Sequence, residues 1–183
     1  MKKQAMMMAL LSAGLIGQNV YATPSSSNIE WIGVVPGGIN GDQIGLTGEN
    51  GGTVRQGELT ITEDGAFTTR VPVTLEAHTM VDDGTGTGNL VPGTDFYSGS
   101  VNWTLGSLYV TNPAYDTTDE VNDVKIAMNG KELVRGTPVT ITGGLQQMKF
   151  SASSDGPTKG SVLPNQTVVT TATIFAEGTG GSL

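Results

Sequence analysis

VKIAMNGKELV, residues 124 to 134, decides the fold. Val124, Ile126 and Met128 recur at every second position, the period of a half-buried strand. Asn129-Gly130 follows at once, and Leu133 and Val134 resume the apolar character beyond it. A two-residue hairpin turn of type I′ needs positive φ at both central positions, and Asn-Gly is the pair that adopts it most readily. The stretch therefore predicts two short antiparallel strands joined at Asn129-Gly130.

The same period recurs on both sides. Leu59 and Ile61 alternate, as do Val71, Val73, Leu75 and Ala77. Val101, Trp103 and Leu105 form a third set, and Val139 with Ile141 a fourth. Met148, Phe150 and Ala152 follow, and Val168, Ala172, Ile174 and Ala176 line one side of the last apolar segment. No helix-period pattern appears after residue 22. Glu63-Asp64-Gly65 reads as a turn, and residues 81–95 and 111–123 read as long polar loops. Pro72 lies inside a strand pattern and predicts an edge or a bulge there. Short strands between such punctuation predict an all-β sandwich.

The N-terminus has the layout of a secretory leader. Lys2 and Lys3 precede an apolar run from Ala5 to Leu15, and Val20-Tyr21-Ala22 supplies a small residue at the cut. Cleavage after Ala22 is preferred to cleavage after Ala13, which leaves too short an apolar core. The structural alternative is a buried N-terminal helix. The run is shorter than the ~20 residues of a membrane span, and no later run qualifies. Cleavage leaves residues 23–183, one domain's worth of chain.

Without Lys2 and Lys3, nine basic residues fall to seven against 17 acidic ones, a net charge near −10. Such a surface disfavours nucleic acid and anionic lipid as partners. Cysteine is absent. An exported chain with no disulfide must gain its stability from packing or from partners.

Catalytic patterns are lacking. There is no GxSxG, no P-loop lysine and no GxGxxG. The single histidine, His78, reads as a surface or edge residue, with neither an orienting acid nor a nucleophile named by the sequence. Asp82-Asp83-Gly84 lacks the ligand spacing of an EF-hand and reads as a solvated turn. Asp116, Asp119, Glu120 and Asp123 read as loop surface, with weak metal binding as the lesser alternative. Trp31 and Trp103 read as core, with sugar stacking as the lesser alternative. Asn102-Trp103-Thr104 and Asn165-Gln166-Thr167 match a glycosylation pattern too short to carry a function. The expectation is a non-enzyme with no catalytic, cofactor or metal site.

Three stretches carry a resemblance. They are EWIGVVPG (residues 30–37), VKIAMNGKELVRGTPVTI (124–141) and MKFSAS (148–153), followed by a Thr/Val/Ala-rich terminal strand. Together they resemble the pilins of chaperone–usher fimbriae, and are similar to the cysteine-free major pilins of coli surface antigen 5 and 7 type colonisation fimbriae. Residues 40–115 share only β character with them.

The resemblance implies an incomplete immunoglobulin-like sandwich, completed by a strand donated from a neighbouring subunit. It implies a leader at 1–22, a donor extension at 23–31 and a pilin domain at 32–183. Ile29, Trp31 and Gly33 become donor-strand residues, and Val168, Thr170, Ala172, Ile174 and Ala176 the edge of the acceptor groove. The partners implied are identical or related subunits, a periplasmic chaperone, an outer-membrane usher and a host receptor. The location implied is a fimbria outside the cell, reached through the periplasm.

The tail TPSSSN is more polar than a donor strand usually is. Either the register reaches toward Val35, or the leader is cut earlier, or the chain is a specialised donor. The plain alternative for the tail is a disordered N-terminus. The alternative for the whole chain is a monomeric secreted carbohydrate- or receptor-binding β-sandwich.

Overall fold

A computed structural model describes residues 43–179 in full and residues 25–31 by their backbone. The expected leader, Gly33 and the Val34-Val35 pair lie outside the described residues.

The described residues form twelve strands and no α-helix. In chain order the strands are β1 (Ser25–Trp31), β2 (Ile44–Thr47), β3 (Glu58–Ile61), β4 (Phe67–Val71), β5 (Val73–Asp82) and β6 (Leu90–Phe96). The rest are β7 (Ser100–Val110), β8 (Lys125–Met128), β9 (Lys131–Glu132), β10 (Val139–Thr142), β11 (Gln147–Ser154) and β12 (Thr170–Thr179). One 3₁₀ turn, Glu49–Gly51, follows β2. Every strand pairing among the described residues is antiparallel.

Two sheets result. The smaller has four strands in the order β1-β12-β7-β10. The larger has eight, running β2-β5-β11-β4-β3, with β6 beside β5, β8 beside β11 and β9 beside β8. The alternating apolar residues of both sheets meet in one core. Trp103 of the smaller sheet lies 5.8 Å, ring to ring, from Phe150 of the larger, and both are fully buried. The expected sandwich is therefore present as an all-β, two-sheet core.

The Asn129-Gly130 turn forms as read. Both residues have positive φ, 50° and 82°, and Met128 pairs with Lys131 across it. The stretch around Pro72 is less simple. β4 and β5 lie end to end along the same edge of β11, with a shift of register between them. Pro72 has no N–H to give to a ladder. The Thr69 hydroxyl bridges the gap, accepting from the Ala152 N–H at 2.7 Å and donating to the Ala152 carbonyl at 2.9 Å. The shift of register fits the bulge expectation.

Two loop expectations need correction. Residues 81–95 are mostly a hairpin, with β5 reaching Asp82 and β6 starting at Leu90. β6 escapes a propensity reading because LVPGTDF carries both Pro and Gly. Within residues 111–123, Asp119 and Glu120 are exposed as read, but Asp116 and Asp123 are buried. Asp123 accepts from the Asp116 N–H at 2.6 Å and from the N–H and hydroxyl of Thr158 at 2.9 and 3.0 Å. Asp116 accepts from the Thr118 N–H at 2.9 Å and faces the Lys159 ammonium at 2.9 Å. The Thr118 N–H, and then Lys159, hold its carboxyl down at about 2. These carboxylates fasten a loop.

Gly106 shows how packing selects a residue. Ser107 pairs with Thr173 and Leu105 with Ile174, so Gly106 is the extra residue of a bulge. A Cβ there would stand 2.2 Å from Cε2 of Phe175. Gly106→Ala should cost about 1–3 kcal/mol by overpacking. In urea denaturation most of that loss should vanish when Phe175→Ala is added. An undiminished loss in the double variant would mean that the backbone, not the ring, demands glycine.

Candidate functional site

The open question is what lies beside β12. Its inward residues Thr170, Ala172, Ile174 and Ala176 are fully buried, and Val168 is buried just ahead of the strand. All five are residues expected at the groove edge. The structure places them as one inward face. The edge itself is backbone, because β7 takes only one side of β12.

β1 takes the other side. It runs antiparallel to β12, with Ser25 opposite Ala176, Ser27 opposite Ile174, Ile29 opposite Ala172 and Trp31 opposite Thr170. Positions 25, 27, 29 and 31 thus stand opposite the inward residues of β12. β1 also lies against β2 and β5 of the larger sheet. It is the outer strand of the smaller sheet.

The pairing has a size logic. Three of the four inward positions of β12 are small: Thr170, Ala172 and Ala176. Small side chains at those positions do not by themselves fill the ~10 Å between packed sheets. The two bulky residues of β1, Ile29 and Trp31, are registered opposite small ones, and the bulky Ile174 is opposite Ser27. Residues directly opposite on adjacent strands of one sheet are neighbours on the same face, so their sizes are coupled.

A second cluster was missed by sequence reading. His78 reads as a surface or edge residue, but it is 3% exposed, Glu76 only 1%, and β5 is paired on both sides there. Both lie on the face of β5 turned away from the main core, where alternation predicts solvent. The 3₁₀ turn covers them. The Asn50 N–H donates to Glu76 Oε1 at 3.0 Å and the Gly51 N–H to Oε2 at 2.9 Å. Gln147 donates to Oε1 at 2.5 Å, and His78 Nε2 lies 3.0 Å from Oε2. The His78 ring stacks on Phe96 at 4.9 Å. His78 does have an orienting acid, then, two residues upstream on its own strand. The i,i+2 spacing was the signal, but a sheet face gives no hint of burial until a loop covers it.

Burial opposes ionisation of Glu76 and is the largest single influence. The Gly51 N–H, His78, Gln147 and the Asn50 N–H outweigh it and hold the carboxyl below its usual range. Beside the dyad lies a cavity of about 530 Å³, bordered by Pro92, Thr94, Phe96, Leu145 and Gln147. Both carboxylate oxygens are already engaged within the chain, so the dyad acts as a fastening for the 3₁₀ turn.

The remaining expected sites resolve simply. Asp82 and Asp83 fold back on their own hairpin tip, accepting from the N–H groups of Gly84 at 2.7 Å and Thr85 at 2.8 Å. Trp103 is fully buried, so its ring offers no platform to a sugar. No protein-family model, no curated protein and no solved structure matches this chain.

Proposed function

We propose that the chain is a structural subunit of a surface fimbria, assembled by donor-strand exchange and supporting adhesion and colonisation. The finer fold on this reading is an incomplete immunoglobulin-like sandwich, and the strand that completes it in the fibre is the N-terminal extension of the next subunit. A periplasmic chaperone would hold the β12 edge before that, and an outer-membrane usher would exchange the two.

One observation carries the reading. The terminal strand needs a partner beside it, and the segment registered there is the N-terminal tail, with its bulky residues opposite small ones. Strand addition of this kind gains affinity from main-chain hydrogen bonds and specificity from alternate side chains. A tail offered to the next copy makes a head-to-tail contact, which does not close and so extends into a fibre. The alternative, a monomeric binding module, loses one of its aromatic platforms with the burial of Trp103.

The test is co-expression with candidate chaperone and usher proteins, comparing the full chain with one lacking Thr23 to Trp31. The full chain should give filaments and heat-labile, SDS-resistant ladders. The shortened chain should remain bound to the chaperone. Ladders of equal length from both would remove the tail from assembly and sink the proposal.

A further inference from the structure

We infer that the free subunit caps itself: before assembly, its own β1 occupies the β12 edge, so the tail is engaged and the β12 edge is covered. This rests on the fimbrial reading and concerns its regulation. The pairing of all seven β1 residues with Thr170–Ala176 lies within one chain. The residue that ends β1, Trp31, is separated from Ile44 at the start of β2 by residues 32–43. β1 and β2 also lie against one another, so this connection bridges neighbouring strands.

The consequence follows from concentration. A short tether holds its strand at an effective concentration on the order of millimolar. A tail offered by another copy at micromolar concentration faces a disadvantage of about 10³ for the same edge. Capping covers the backbone edge of β12 and makes β1 the outer strand of that sheet. Polymerisation therefore requires a factor that keeps the tail off the edge, or that opens the pairing once formed. A subunit released without that factor would be a stored monomer that does not nucleate fibres.

The experiment uses the full chain, purified without assembly proteins, and hydrogen exchange read by mass spectrometry. The comparison variant is Asn28→Pro with Ile29→Pro. Proline removes the donor N–H and does not fit the interior of a paired strand. The wild-type chain should be monomeric. Its β12 amides should exchange at the same slow rate at about 1 and about 100 µM, since pairing within a chain does not depend on concentration. In the proline variant, β12 exchange should speed up at least about tenfold. Protection of residues 148–154 should persist there, as the sign that the sandwich is still folded.

Fast β12 exchange in the monomeric wild type would overturn self-capping. So would protection that rises with concentration, or protection untouched by the two prolines. A synthetic peptide of residues 23–35, added to the proline variant, separates this inference from the fimbrial reading. If the peptide restores β12 protection although the wild type proves uncapped, strand exchange survives and self-capping falls. If the wild type is capped but co-expression yields no ladders, self-capping stands and the fimbrial reading falls.

Discussion

Trp103→Ala should lower the free energy of unfolding by about 3–5 kcal/mol, the usual range for emptying an aromatic site in a core. Trp103 is 0% exposed and sits at the junction of the two sheets, against Phe150. Its loss opens a void that neither sheet can close, because each is held by its own ladder. Trp103→Phe should cost far less, about 1–2 kcal/mol. The indole Nε1 is buried with no hydrogen-bond partner. Removing that donor offsets part of the lost volume, since an unpaired buried polar group is itself unfavourable. Urea denaturation of the three proteins checks both values. Equal losses for the two variants would mean that the indole N–H, and not the ring volume, is what the site needs.

Glu76→Ala should also be severe, at about 2–4 kcal/mol near neutral pH, because it strips the acceptor from a set of buried donors. Two backbone N–H groups, the Gln147 amide and His78 would all lose their partner. The 3₁₀ turn at Glu49–Gly51 should then come away from β5, which proteolysis near residue 50 would report. The pH dependence has a definite sign. The folded-state carboxyl titrates below its ordinary value. Its contribution is therefore complete above about pH 4.5 and is lost as pH falls through the lower folded-state value. Glu76→Gln removes this titration. The difference in stability between wild type and Glu76→Gln should be constant above that pH and shrink on acidification. A difference that grows as pH falls would show that the carboxylate is not the form the fold prefers.

Self-capping bears on how strand-exchange assembly is tested. On that inference a well-behaved monomer, obtained without assembly proteins, is the resting form and says nothing against polymerisation. What separates the fimbrial reading from a plain binding module is the response to tail deletion when assembly proteins are present. The cavity beside the Glu76–His78 dyad is a feature on which the binding-module alternative could draw. It is bordered by the dyad and a half-buried Phe96, and both Glu76 carboxylate oxygens are engaged within the chain.

Much of this protein was determined by local sequence. The period-two apolar residues of β7, β8 and β11 point into the core as read, because alternation in a strand follows from backbone geometry alone. Asn129-Gly130 turns where it should, because few residues besides Asn and Gly accept positive φ cheaply. Other features depended on residues far apart in the chain. His78 and Glu76 are buried only because a turn 25 residues upstream of Glu76 donates two N–H groups to the carboxylate. Asp116 and Asp123 became interior groups because Thr158 and Lys159 come to meet them. The strand break at Pro72 is bridged by Ala152, 83 residues from Thr69. Above all, the tail's place beside β12 joins residues 25–31 to residues 170–176. A strand's alternation is written in its own residues, whereas the neighbour that satisfies its edge is chosen by register and shape across the whole fold.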